Sequence, residues 1–278
     1  MTRRLLATAL AAAGITLALP AAPAVAAANP VVVIVMENQS FSSIVGSAQA
    51  PFINDTMIGG GTLETTYRAN VSTSLRDYLA MTAGIVDQGS AAHSDNIFNQ
   101  LQAAGTSWAE YEESMPSPCY TGSSAGSAPG TSDPLYTSGH NPAVHFLDIT
   151  SQKSVCRSHV LPYSAFDPHA LPAFSYVVPN QCDDMHSRCK GASQVTHGDD
   201  WLSDNVPPMV GAGATVVLTW DEGGGGGGQH IATVVYGSPG PARDSHSYNH
   251  FNLLAGLEQR FGLDPLNGAE GRTPVPIP

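Results

Sequence analysis

The chain has 278 residues, with 11 Lys+Arg against 23 Asp+Glu and a formal net charge of −12. That balance excludes binding to nucleic acid or another polyanion through bulk charge, so an anionic substrate must be held by a local device such as a metal or a helix N-terminus.

The first residues read as a targeting segment. Arg3 and Arg4 form a short basic start, Leu5 to Leu19 is apolar, and Ala24-Val25-Ala26 is a small-residue cleavage pattern. Cutting after Ala26 leaves 27–278 as a single secreted domain, expected to be a monomer. No other apolar run approaches the roughly 20 residues of a membrane span, so no stable membrane anchor is expected. The remaining roughly 250 residues suffice for one α/β domain with a sizeable core. Four cysteines in an exported chain read as two disulfides. Closeness in sequence pairs Cys182 with Cys189 and leaves Cys119 with Cys156, one of three possible pairings.

Pro30 to Met36 is a near-continuous apolar run, the pattern of a strand covered on both faces. It ends in Glu37-Asn38-Gln39-Ser40-Phe41. Pro51 to Ile58 reads as a short helix, and Ser72, Thr73 and Ser74 stand just before an apolar helix. Ser94 to Gly105 reads as a helix capped by Ser94, striped by Ile97, Phe98 and Leu101 and stopped by Gly105. Thr106 to Tyr111 follows as a strand. Ser114 to Gly139, rich in Ser, Gly and Pro, is expected to be a long surface loop tied down by Cys119.

Ala173 to Pro179 is another buried strand, leading into Asn180-Gln-Cys-Asp-Asp-Met-His186. Asp199 to Val210 starts as a helix that Pro207-Pro208 should limit. Ala214 to Thr219 is a buried strand ending in Asp221-Glu222 and then six glycines, Gly223 to Gly228. Ile231 to Gly237 is the next strand. Asn249 to Phe261 is an amphipathic helix with Leu253, Leu254, Leu257 and Phe261 inward, and Thr273 to Pro278 is an extended tail. Strands alternate with helices without a composition break or internal repeat, which predicts one α/β domain with helices on both faces.

Two buried strands far apart in sequence each end in an oxygen-rich pair, Glu37-Asn38 and Asp221-Glu222. As neighbours in a largely parallel sheet they would converge on one edge, where α/β folds place their chemistry. That oxygen set suits a hard divalent cation of unspecified identity and number. The hydroxyls before the helix at Leu75 either cap it or lie in an anion cradle of backbone N–H groups, where a metal-activated Ser could attack phosphorus. The glycine run lacks the Lys-[Ser/Thr] of a nucleotide loop and reads as a mobile hairpin or lid. Gly122-Ser-Ser-Ala-Gly126 fits a serine-hydrolase elbow in letters alone, with no strand before it.

Met36-Glu37-Asn38-Gln39-Ser40-Phe41 resembles the Met-Glu-Asn-x-Ser-Phe opening of the bacterial phosphoesterase family of acid phosphatases and phospholipases C. That family belongs to the alkaline-phosphatase-like superfamily. Further matches follow in the family's order: Tyr78-Leu79-Ala80 with Ser74 before it, His140-Asn141-Pro142, and Pro179-Asn180 with Asp184-Met185-His186. Gly198-Asp199-x-Trp201-Leu202, Thr219-Trp220-Asp221-Glu222-Gly223, and His250 through Gly262-Leu263 complete the set. The resemblance runs from about Val31 to Leu263.

It implies a three-layer α/β/α sandwich with a mostly parallel central sheet, and a secreted metal-dependent acid phosphatase acting on phosphate monoesters. Secreted members of the family include enzymes that dephosphorylate phosphatidylinositol 3-phosphate, so the expected partner is a phosphorylated small molecule or phosphoinositide. Ser74 stands at the family's nucleophile, and Glu37, Asn38, Asp221 and Glu222 at its metal ligands. His186 and His140 stand at histidines that contact the phosphoryl oxygens or protonate the leaving group. The chain departs from the family at Arg76-Asp77, where the family has Pro-Asn. An ionised Asp77 would repel phosphate, and Arg76 would either neutralise it or bind phosphate itself. His250 is either a cap-region residue or part of a lid. The other seven histidines read as surface or loop residues. Two rival readings share the same residues: a phosphodiesterase or phospholipase C on this scaffold, and a non-catalytic exported protein that sequesters metal or binds a surface ligand.

Overall fold

The computed structural model describes residues 29–224, 229–237 and 240–278. The expected targeting segment and Gly225 to Gly228 lie outside the described residues. The strands are β1 (Val31–Met36), β2 (Thr62–Glu64), β3 (Trp108–Glu112), β4 (Ser124–Ala125), β5 (Tyr136–Thr137), β6 (Val160–Pro162), β7 (Phe174–Val178), β8 (Thr215–Trp220), β9 (Thr233–Tyr236) and β10 (Ala242–Asp244). The helices are α1 (Phe41–Ile44), α2 (Ser74–Ala83), α3 (Ile97–Ala103), α4 (Leu147–Thr150), α5 (Lys153–His159), α6 (Gln194–Gly211) and α7 (His250–Phe261).

Eight strands form one sheet in the order β10-β2-β9-β8-β1-β7-β3-β6, and β4 with β5 makes a small separate hairpin. From β8 to β6 every neighbouring pair is parallel. β9 runs antiparallel to both β8 and β2. No helix lies among the described residues between β8 and β9, and an antiparallel neighbour needs no crossover helix. Every residue of β1 and of β8 is buried, which requires cover on both faces. α2 packs with α3 and α7 in one group, while α6 packs on β8 and on the helical segment 52–58.

The central register positions the site. Val31 pairs with Thr215 and Met36 with Trp220, so β1 and β8 end level with each other. Asp221 N–H donates to Met36 O at 2.9 Å, and Glu37 N–H donates to Asp184 O at 2.7 Å. Three chain segments that are remote in sequence therefore meet at one sheet edge.

Two expectations about helix ends are corrected. α3 begins after Asn96, whose side chain accepts from Asn99 N, whereas Ser94 donates its hydroxyl to Ser90 O. α6 continues through Pro207 and Pro208 to Gly211. Both prolines lie on the exposed side of the helix, while Val206 and Met209 are fully buried. A proline costs a helix about 3 kcal/mol. Burying two large apolar side chains at about 1.5–3 kcal/mol each offsets much of that, and the carbonyls freed at Ser203 and Asp204 are not closed off from solvent. The disulfides are Cys119–Cys156 and Cys182–Cys189, as expected.

Candidate active site

Glu37 follows the last residue of β1 and is fully buried. Its Oε2 accepts from Asn38 Nδ2 at 2.9 Å and from the Ser74 hydroxyl at 3.2 Å. Asn38 turns into the left-handed region at φ 57°, and its N–H donates to Asp221 Oδ1 at 3.0 Å. Gly224 packs on this turn so closely that a Cβ would sit 2.3 Å from Asn38 O. Only glycine fits there, whatever the rest of the run does.

Ser74 is the first residue of α2, and the helix is capped at Thr73 without a side-chain bond. The Ser74 hydroxyl is therefore not spent on capping. It points at Glu37. His140 lies between two carboxyl groups, with Nε2 3.2 Å from Glu37 Oε1 and Nδ1 3.3 Å from Asp184 Oδ2. Tyr78 stacks on it, with ring centroids 5.6 Å apart. Burial pushes the His140 imidazole down to about 4 and the Glu37 and Asp184 carboxyls well up. Burial also raises Asp221, and raises Glu222 to about 7.

The carboxyl oxygens test whether a cation fits. Asp221 Oδ2 and Glu222 Oε2 are buried and lack a hydrogen-bond partner among the described residues, and Glu37 Oε1 and Asp184 Oδ2, also buried, have only the His140 ring close by. Four buried carboxyl oxygens with no Arg or Lys bonded to them, and at most one imidazole beside two of them, are costly unless positive charge or protons reach them. One group with metal-ligand spacing occurs among the described residues: Glu37, His140 and His186, whose ligand atoms all lie within 4.8 Å of one another. The donor set is thus carboxylate oxygen with imidazole nitrogen, which suits a divalent cation.

Two of the proposed binding residues sit elsewhere than expected. Asp77 is fully buried, and its Oδ1 accepts from Asn70 N at 2.9 Å and Val71 N at 3.1 Å. It pins the loop before α2 rather than facing a substrate. Burial pushes its carboxyl up to about 8, so it is protonated at acidic pH. Arg76 donates Nε to Val86 O at 2.6 Å. His250 is a cap-region residue, the first of α7 after the cap at Asn249, and it is fully buried. Its Nε2 lies 2.7 Å from Asp221 O, and its Nδ1 3.2 Å from the Tyr67 hydroxyl. The ring fixes the backbone that carries Asp221.

Asp184 was the residue least visible in the sequence. It stood in the Asp184-Met185-His186 match, but nothing marked it as the group that accepts from His186 N at 2.7 Å while approaching His140. His186 is half-buried in the loop closed by Cys182–Cys189, and Gln194 Nε2 donates to the carbonyls of Met185 and His186.

The family model of the phosphoesterase family matches residues 86–264. The chain belongs to the phosphoesterase family. This phosphoesterase is 30% identical over 264 residues to a Mycobacterium tuberculosis protein named phosphatidylinositol-3-phosphatase, covering 88% of this chain and 81% of that one. It is 26% identical over 185 residues to an acid phosphatase of Aspergillus niger, covering 61% of this chain and only 42% of the fungal one. Its fold matches an alkaline phosphatase superfamily protein of Vibrio parahaemolyticus with a TM-score of 0.60 at 11% identity, over 88% of this chain and 70% of that one.

Proposed function

We propose that this phosphoric monoester hydrolase is a secreted, metal-dependent acid phosphatase that works through a phosphoserine at Ser74. The observation that carries the reading is the Ser74 hydroxyl, free of capping duty and aimed at Glu37 beside unpartnered carboxyl oxygens. Glu37, Asn38, Asp221 and Glu222 would hold a divalent cation, with His140 and His186 on its flank. Such a cation supplies charge that offsets the phosphate and eases loss of the Ser74 proton.

The chain's own residues do the rest. Ser74 Oγ forms a bond to phosphorus as the P–O bond to the leaving group breaks, and Glu37 accepts the hydroxyl proton it already bonds. His186, half-exposed at the rim, gives a proton to the departing alkoxide. Water then cleaves the phosphoserine, releasing orthophosphate and returning the Ser74 proton. His140, held neutral by burial, orients Glu37 and Asp184. Lower pH favours this proton delivery, because burial lowers the His186 imidazole below its usual value and it must be protonated to act as an acid.

The substrate class is a phosphate monoester with an alcohol leaving group, including the headgroup of a phosphoinositide, as the name of the mycobacterial relative suggests. Export is supported by the basic-apolar start of the sequence and by two disulfides, which persist in oxidising compartments. The decisive experiment measures phosphate release from 4-nitrophenyl phosphate by wild type and Ser74→Ala, with an acid-quench trap for phosphoserine. A drop of at least about 10³-fold is expected with no trapped phosphoprotein. Turnover close to wild type in the variant would remove the nucleophile.

A further inference from the structure

The loop that carries His186 holds a hydrogen-bond chain with only one consistent polarity. Asp133 Oδ2 accepts from the Ser187 hydroxyl at 2.6 Å and from the Thr131 hydroxyl at 2.9 Å. Ser187 Oγ is in turn 3.1 Å from His186 Nδ1. An ionised carboxylate only accepts, and a serine hydroxyl has one proton to give. Ser187 gives that proton to Asp133, so its oxygen can only accept from the ring. His186 Nδ1 must then carry a hydrogen.

The geometry points to Asp133 and Ser187 as positioning residues that lock His186 in the Nδ1–H tautomer, leaving Nε2 as the one ring nitrogen open to a substrate oxygen or a cation. The two residues are 54 positions apart in sequence, and nothing in the sequence connects them. The loops are stitched together on the backbone as well. Gln181 N donates to Leu135 O, Lys190 N to Pro129 O, and Gln181 Nε2 to Pro134 O. The Cys182–Cys189 disulfide packs against Ala128 and Leu135. Ser187 itself is buried, and its N–H donates to Gln181 O at 2.7 Å, so the hydroxyl has little freedom to turn away. The two hydroxyl donors hold the Asp133 carboxyl below its ordinary value, so it stays an acceptor through the acidic range.

The consequence for the reaction rests on the proposed phosphatase reading. A ring fixed with Nδ1–H presents its second nitrogen in one orientation, so a proton taken up at Nε2 can only go outward to the leaving group. Free imidazole samples both tautomers, and an unlocked ring would divide its population between useful and useless forms.

The test separates the lock from the phosphatase reading. The full chain, labelled with ¹⁵N-histidine and with Mg²⁺ present, is examined by long-range ¹H–¹⁵N correlation at alkaline pH. The His186 signals are assigned by their loss in His186→Gln. The expected wild-type spectrum shows Nδ1 protonated and Nε2 bare, and Asp133→Ala shifts the population toward Nε2–H, because the freed Ser187 hydroxyl can then donate to Nδ1. Asp133 is only half-buried, so this variant keeps the result readable even where Ser187→Ala fails to fold. A wild-type ring protonated at Nε2, or an unchanged Nδ1–H ring in Asp133→Ala, overturns the lock. A kinetic arm compares 4-nitrophenyl phosphate with an alkyl phosphate. Asp133→Ala should lose about 10- to 100-fold in kcat on the alkyl ester and little on the nitrophenyl ester, with Asp133→Glu recovering part of it. A tautomer shift with equal losses on both esters supports the lock and overturns the leaving-group role of His186.

Discussion

Glu64 offers a clean measurement of how this protein handles its buried acids. It ends β2, is fully buried, and neither carboxyl oxygen has a hydrogen-bond partner among the described residues. Burial first, and the Asp244 carboxylate second, push its carboxyl from 4.5 up to about 8. Between those two values the folded protein holds a proton that the unfolded chain gives up. The folded state binds more protons, so stability falls as pH rises from about 4.5 to about 8 and levels off above. At 1.36 kcal/mol per pKa unit the whole displacement amounts to about 5 kcal/mol. Screening by solvent at the sheet margin, where β2 is next to the edge strand, brings this to about 3 kcal/mol. Glu64→Gln removes the ionisation while keeping the shape. The variant should match wild type at pH 4.5 and exceed it at pH 8 by about 3 kcal/mol, or about 6–12 °C in Tm for a chain of this size. Thermal unfolding followed by circular dichroism at half-unit pH steps reads it out. Wild type and variant losing the same Tm between pH 4.5 and 8 would refute the reasoning.

Chelation should destabilise the protein at pH 7.5, by about 2.7 kcal/mol where the removed cation had stood at a hundred times its Kd. The loss should be smaller at pH 5, because burial raises the Glu37, Asp221 and Glu222 carboxyls and protons then compete with the cation for them. Equal Tm values with and without EDTA at both pH values would argue against a cation in this cluster. Replacing Cys182 and Cys189 by Ser opens a ring with a sequence separation of 7, costing about 2.5 kcal/mol in chain entropy. It should also lower kcat more than tenfold, because Asp184 and His186 lie inside that ring. Opening Cys119–Cys156, with a separation of 37, should cost more stability, about 4 kcal/mol, and leave kcat nearly intact. Urea midpoints and initial rates at 20 °C distinguish the two. Asn249→Ala removes the side chain that accepts from Phe251 N and Asn252 N at the start of α7. A loss of about 1 kcal/mol is expected with KM unchanged.

Much of the fold was legible in the chain itself. The apolar runs at Val31–Met36 and Thr215–Trp220 announce strands with no exposed face, because a strand buried on both sides cannot alternate. Leu253, Leu254 and Leu257 announce one face of α7 in the same way. The three-residue strands β2, β6 and β10 left no such trace, since so few residues carry no measurable period. Their place is set by neighbours that were already paired. The proline pair in α6 misled for a related reason: local rules penalise it, while the packing of Val206 and Met209 outweighs the penalty.

The site divides along the same line. Sequence by itself determined which atoms were available: two strand ends rich in oxygen, a hydroxyl ahead of a helix, and two histidines in loops. The tertiary structure alone decided what those atoms do to one another. The level ends of β1 and β8 put Glu37 beside Asp221, and the ring of His140 came to rest between Glu37 and Asp184. Asp77 and His250 turned inward to brace the backbone, and Ser187 became the link between Asp133 and His186. Composition and spacing act along the chain. Hydrogen-bond direction and the electrostatic cost of burial depend on which groups lie within a few ångströms in space, and that is set only when the sheet closes.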